Sequence, residues 1–247
     1  MITNEPTNWK DLQNKVDFIL RCVGLNSIKE FKLKTPRGII EVDVFAVDEN
    51  SLDKIKYIIE CKNWNNKIPQ NIIHSFTTIM NESGGNIGYI IAKKGFQRGA
   101  IEYSKCTNIK LLTYDEFQNE YLEKWFINYF SEEVFNFSRF LLTATYPLNY
   151  DKNLRESEQI IVNNLKEKYS DLSSLLLLIS GYKRDFHGNN GFSKKNKINI
   201  ISLGNIKYLF FNLLGIKLNS ESFEDLLIEL KKIVDSIKIE FKKICNN

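Results

Sequence analysis

Two short segments constrain this chain most: Ile39-Ile-Glu-Val-Asp-Val-Phe-Ala46 and Tyr57-Ile-Ile-Glu-Cys-Lys62. Both are dense in β-branched and aromatic residues and read as neighbouring β-strands, yet each carries charge inside an apolar run. Side chains alternate between the two faces of a strand, so Glu60 and Lys62 share a face. An acid-x-lysine is common on solvated sheet surfaces. Here Ile58, Ile59 and Cys61 make the strand look central and buried, where unpaired charge is costly and needs a reason.

Phosphodiester hydrolysis supplies such a reason. It needs charge neutralisation at the phosphate and an activated water, and a hard divalent cation held by one or two carboxylates provides both. Asp43 and Glu60 are the expected carboxylates, with the Cys61 carbonyl as a third oxygen. Mg²⁺ is the expected ion and Mn²⁺ a substitute. Lys62 is placed to orient or deprotonate the water, or to steady the developing charge.

The 247 residues suffice for one large domain or two small ones, and an apolar share of 43% with 26% charged is ordinary for a soluble protein. The longest apolar run, Leu175 to Ile179, is five residues, far short of the roughly 20 that span a bilayer. The start, Met1-Ile-Thr-Asn-Glu-Pro6, lacks the basic and apolar stretches of a signal peptide, so a cytoplasmic location without membrane partners is expected. Cys22, Cys61, Cys106 and Cys245 form no CxxC pair and there are two histidines, which argues against structural zinc and a disulfide framework. A net charge of +4 is mild and neither announces nor excludes a nucleic-acid partner.

Along the chain, Leu12, Val16, Ile19, Leu20 and Val23 recur at helical spacing and stop at Gly24. Strands are expected over Ser27 to Lys34, Ile39 to Val47 and Lys56 to Lys62, joined by a Pro36-Arg-Gly38 turn and a polar loop into an antiparallel meander. A helix follows from Pro69 to about Glu82 and ends at Gly84-Gly85. The apolar run Asn86 to Ala92 reads as a strand covered on both faces, then come a short helix from Gln97 to Cys106 and a strand from Asn108 to Leu112. The order αβββαβαβ implies an α/β class, a mixed sheet flanked by helices.

Past Tyr114 the strand signals fade. Tyr121, Trp125, Phe126, Tyr129, Phe130, Phe135, Phe137 and Phe140 lie in a helical pattern, where burial is the expectation rather than base stacking. Pro147 to Asn149 interrupt it and Leu154 to Ile179 resume it. The last helix, Glu221 to Ile244, sets Phe223, Leu226, Leu230, Ile233 and Ile237 on one seam, suited to an intradomain helix contact. A domain boundary is expected near Asp115 to Glu120, giving domains over 1–118 and 119–247.

Taken together, the element order, Asp43, Glu60-x-Lys62 and the tail Ile90-Ile-Ala-Lys-Lys-Gly-Phe-Gln-Arg-Gly-Ala100 before Ile109-Lys-Leu-Leu112 resemble the PD-(D/E)xK nuclease superfamily, in its Mrr-like restriction endonuclease branch. The resemblance covers residues 9 to 118 and implies a restriction-endonuclease-like fold, a DNA substrate, a Mg²⁺ ion and catalytic roles for Asp43, Glu60 and Lys62. It also implies accessory places at Gln13 in the first helix, where relatives often carry a glutamate, and at Gln70 after the lysine strand. Val42 stands where the superfamily name has proline.

Other candidates are weaker by chemistry. His74 lies one turn past Gln70 and either faces the substrate or is a plain helix residue. Lys93, Lys94 and Arg98 follow a strand end, a place to hold DNA phosphate or a solvated loop. Lys183, Arg184, Lys194 and Lys195, interleaved with Tyr182, Phe186 and Phe192, either track a nucleic-acid backbone or form polar surface.

The reading that results is a metal-dependent DNA endonuclease of restriction or anti-phage defence, with a mainly helical C-terminal domain for recognition, dimerisation or a regulatory partner. A homodimer is expected if both strands are cut. Holliday-junction resolution is a neighbouring activity. The alternative is a non-catalytic nucleic-acid- or partner-binding subunit that keeps the fold.

Overall fold

The computed structural model describes residues 1–145, 155–180 and 202–245. Its first elements are α1 (Trp9–Cys22), β1 (Asn26–Thr35), β2 (Gly38–Val47), β3 (Lys56–Lys62), α2 (Gln70–Ser83), β4 (Ile87–Ala92), α3 (Arg98–Ser104), β5 (Ile109–Thr113) and α4 (Tyr114–Trp125). The five strands form one sheet in the order β1-β2-β3-β4-β5. The first three pair antiparallel, and β4 and β5 continue in parallel. Parallel neighbours need crossovers, and α2 and α3 provide them. The α/β class, the mixed sheet and the element order read from the sequence are those observed.

Local chemistry explains the elements. Asn8 caps α1 by accepting from the Asp11 N–H at 2.9 Å, and α2 ends on Gly84 at a φ of 67°, a conformation that glycine adopts without a Cβ clash. One face of the sheet is closed by α2 and α3 through Leu33, Val42, Ile58, Phe76, Met80 and Ile90. The other is closed by α1 and α4, with Leu12, Val16, Ile19 and Phe117 almost fully buried. Each such aliphatic or aromatic side chain contributes about 1.5–3 kcal/mol. Gly88 to Ala92 of β4 are all buried, as a strand covered on both faces must be.

The chain divides into two compact units, Thr3–Trp125 and Phe126–Asn247, with Met1 counted in the first and Ile2 in the second. The boundary expected after residue 118 falls inside α4, and the division lies at its end. The reason is packing: Phe117 stands edge-on to Tyr89 of β4 at 5.9 Å and Tyr121 hydrogen-bonds to the Tyr89 hydroxyl at 3.2 Å, so α4 is held to the sheet through most of its length.

The second unit is helical: a π turn (Phe126–Phe130), α5 (Ser131–Thr145), α6 (Glu156–Ser180), α7 (Leu203–Leu214) and α8 (Phe223–Cys245). Phe126, Phe130 and Phe223 cluster at 4.7–5.6 Å between rings. On α8, Phe223, Leu226, Leu230 and Ile237 of the expected seam are buried, Val234 is buried in place of the half-buried Ile233, and the helix packs on α5 and α6. The seam is thus an intradomain contact. Helix α7 had no counterpart among the expected elements. Pro147 to Asn149 lie outside the described residues. No helix among those described is long and apolar enough to cross a membrane.

Candidate active site

The sheet opens where its charged residues lie. Pairing between β2 and β3 runs from Val47↔Lys56 to Val44↔Ile59 and stops, leaving Asp43 on one strand and Glu60, Cys61 and Lys62 on the other beyond the last rung. On the opposite side of β2, the pairs Lys29↔Val44 and Phe31↔Val42 bracket Glu30 and Asp43. Glu30 has a φ of 52°, a left-handed conformation sparsely used by non-glycine residues. The side-chain alternation of β1 switches there: Ser27 and Lys29 bond Asp17 and Asn14 of α1, whereas Phe31 and Leu33 join the core under α2. This irregularity sits directly across from Asp43, and such departures gather at functional sites.

Both oxygens of Asp43 are held. Oδ2 accepts the Cys61 N–H at 2.6 Å, taking over a backbone donor freed by the opened ladder. Oδ1 accepts from Gln13 Nε2 at 2.5 Å. Glu60 Oε1 forms an ion pair with Lys62 Nζ, as the shared face required. Burial holds the Glu60 carboxyl above its usual range, the charge of Asp43 adds to this, and Lys62 opposes it. Asp43 and Glu60 are therefore close enough to repel, the electrostatic setting that a cation relieves.

The donor set fits a hard divalent cation. Besides two carboxylates, Gln13 is 2% exposed and its Oε1 is buried without a hydrogen-bond partner, an acceptor left open on the side chain that touches Asp43. The Cys61 thiol is pushed well above its ordinary value by burial, then by Asp43 and Glu60, so it stays protonated and offers no thiolate. Oxygen donors without a soft ligand suit Mg²⁺ or Mn²⁺ rather than zinc. Among the described residues no group of three or more His, Cys, Asp or Glu side chains is placed to hold a metal.

The remaining candidates divide. Lys93 follows β4 and its N–H donates to the Lys62 carbonyl at 3.0 Å, so it stands beside the site. Lys94 and Arg98 are exposed on the same stretch. Gln70 and His74 hydrogen-bond to each other at 3.1 Å and turn to α3, where Gln70 packs on Gly99 and His74 on the Tyr103 ring at 4.3 Å. These contacts lie on α3 and not on Asp43, Glu60 or Lys62. Lys183, Arg184, Lys194 and Lys195 lie outside the described residues.

Trp64, Asn65 and Lys67 were not among the residues expected near the site. These residues follow the lysine strand, and Lys62 Nζ lies 5.7 Å from the Trp64 ring centroid. A tryptophan two residues past the last strand lysine was the available signal.

Residues 7–121 match the family described as Restriction endonuclease, Mrr_cat. No curated protein matches the chain. A crystal structure described as that of a protein of unknown function, AF1548, aligns over 91% of this chain and 99% of its own at 16% identity and a TM-score of 0.38, too remote to carry an argument.

Proposed function

We propose, from the premise that the N-terminal half is a domain of the Mrr-like restriction endonuclease family, that the chain is a metal-dependent DNA endonuclease serving in restriction or anti-phage defence. The observation that carries the reading is the opened β2–β3 ladder, which brings Asp43, Glu60 and Lys62 together around buried oxygen donors with one acceptor unfilled.

A Mg²⁺ ion, for which Mn²⁺ can substitute, would be held by Asp43, Glu60 and the Cys61 carbonyl, and when bound it supplies charge neutralisation at the phosphate and an acidified water. Within the protein, the Cys61 N–H and Gln13 fix the Asp43 carboxylate before substrate arrives. That removes reorganisation from the reacting state. Lys62 is steered by Glu60 toward the space these carboxylates share, where its ammonium can stabilise the phosphate or direct the attacking water. Lys93, Lys94 and Arg98 form a cationic margin for the DNA backbone. The helical unit is assigned to DNA recognition, dimerisation or a regulatory partner, and a homodimer would supply two sites for a double-strand break.

A second reading, a binding subunit that retains the fold, is favoured by the neutral Gln13 and by the lack of a third acidic or imidazole ligand among the described residues. Incubating supercoiled and linear plasmid with the full chain in Mg²⁺, Mn²⁺ or EDTA separates the two. Metal-dependent nicking or linearisation, lost in Asp43→Ala and Lys62→Ala proteins that remain folded, is the expected result. DNA binding that ignores both Mg²⁺ and Asp43→Ala, without cleavage, supports the second reading and ends the first.

A further inference from the structure

Beyond Lys62 and Trp64 the chain does not form a loose loop. Ile68 makes a parallel bridge with Phe96, its N–H donates to the Gly95 carbonyl at 3.0 Å, and its carbonyl accepts from the Gln97 N–H at 3.0 Å. Lys93 Nζ donates to Asn65 Oδ1 at 3.1 Å. The two loops that leave the carboxyl ends of β3 and β4 are thus zipped together, with Ile68 and Phe96 buried beneath them. Carboxyl ends of parallel strands are where open α/β sheets bind ligands.

On this fixed platform Trp64 remains 44% exposed, although the same loop buries Ile68 completely. A single exposed tryptophan is ordinary. The setting of Trp64 is not: the lysine beside its ring is the one that pairs with Glu60, which puts the indole one side chain away from the acidic site. Lys67, Lys93, Lys94 and Arg98 are exposed on the same pair of loops. An aromatic ring among backbone-neutralising cations is the combination that binds single strands, because bases stack on the ring while phosphates follow the charge. In a regular duplex both faces of each base are already covered by neighbours.

We infer that Trp64 is a base-stacking surface of this site, and that the preferred substrate presents an unstacked nucleotide beside the cleaved phosphate, as single-stranded or locally unpaired DNA does. The inference rests on the nuclease reading and narrows its substrate. Trp64 is here a positioning residue for the strand, and its stacking is separable from any structural hold on Lys62.

The test measures binding of the full chain, in EDTA at low salt, to a labelled oligo-dT strand and to a fully abasic strand of the same length. Trp64→Ala should weaken dT binding about tenfold and leave the abasic strand unchanged, since stacking on one ring is worth that much. Trp64→Phe should retain most of the affinity. Trp9 is a control, being 57% exposed with Lys10 Nζ 5.2 Å from its ring, so Trp9→Ala should change neither strand. In a Trp9→Phe background, dT but not the abasic strand should quench tryptophan emission. Equal losses on both strands, or no loss on dT, would overturn the inference. If wild type meanwhile cleaves plasmid with Mg²⁺, the nuclease reading survives that outcome. Wild type that neither cleaves nor binds dT overturns both.

Discussion

The two units bury polar atoms in opposite ways. In the N-terminal unit Gln13 and Asp17 are almost fully buried, and Glu60 and Lys62 keep about a fifth of their side-chain surface. Each has a named partner: Asp43, Ser27 with Arg21, or one another. In the helical unit, the buried polar residues among those described are all serines. Ser138 and Ser180 return their hydroxyls to carbonyls three residues back, Phe135 and Leu177, at 2.9 Å, Ser220 donates to Glu229 Oε2 at 2.5 Å, and the Ser131 and Ser173 hydroxyls are buried without a partner among the described residues. A buried serine satisfied by its own helix is inexpensive, whereas a buried carboxylate must be justified by pairing or by a task. Among the described residues, fully buried charge therefore lies in the sheet unit, whereas the helical unit buries only hydroxyls.

The largest expected effects test that division directly. Asp43→Ala should lower metal-dependent plasmid cleavage about 1,000-fold or more while leaving far-ultraviolet circular dichroism unchanged, because it removes a proposed metal ligand from a partly open seam. Phe130→Ala should do the reverse. Phe130 is fully buried between Phe126 and Phe223, so its truncation should cost about 3–5 kcal/mol in thermal or urea unfolding. Cleavage per folded molecule, measured well below the transition, should be retained. Loss of cleavage in folded Phe130→Ala protein would break the comparison and give the helical unit a part in the chemistry.

Much of the sheet unit was legible because its signals are local and agree with one another. Turn residues, strand propensities and the periodicity of α1 and α2 placed every element from α1 to β5 within two residues, and the apolar run at Ile87 to Ala92 announced a strand covered on both faces. The face shared by Glu60 and Lys62 followed from alternation alone, and their ion pair is what it implies. Alternation could not reveal the switch at Glu30, since a positive φ at a glutamate carries no sequence mark. Nor could it show that Asp43 bonds the Cys61 N–H, which depends on where a ladder ends. His74 and Gln70 share a helix face, as their four-residue spacing implies, but which neighbour that face meets is a tertiary fact, and Tyr103 and Gly99 were not foreseeable. The unit boundary was drawn where strands cease, yet α4 stays with the sheet because its aromatics pack there.

Smaller effects sharpen the comparison at two glycines. In β4, a Cβ on Gly88 would lie 2.8 Å from Phe76 Cε1 and 3.2 Å from Ile109 Cγ1, so Gly88→Ala overpacks the sheet core and should destabilise by about 1–3 kcal/mol. In α7, a Cβ on Gly204 meets only Ser202 Oγ at 3.9 Å. Gly204→Ala should therefore stabilise by about 0.5–1 kcal/mol through helix propensity and reduced freedom of the unfolded chain. Opposite shifts in urea midpoint would follow. Shifts of the same sign would mean that the helical unit is packed as tightly around its small residues as the sheet is.

The smallest effect is the most specific to the acidic seam. Burial, and then Asp43, hold the Glu60 carboxyl above its ordinary 4.5, so the folded chain binds that proton more tightly than the unfolded chain. A raised carboxyl of this kind gives its full contribution to stability below the unfolded value. The contribution is lost as pH rises from there through the folded value, because stability falls wherever the native state holds more protons. In EDTA, Glu60→Gln should match wild type in acid and exceed it at neutral pH by about a degree or two in Tm. Mg²⁺ should then raise the wild-type Tm at neutral pH and leave Glu60→Gln nearly unmoved, since an ion bound only by the folded state stabilises it. A wild-type pH slope no different from that of Glu60→Gln would mean that solvent already screens the seam. The buried-charge contrast between the units would then lose its sharpest member.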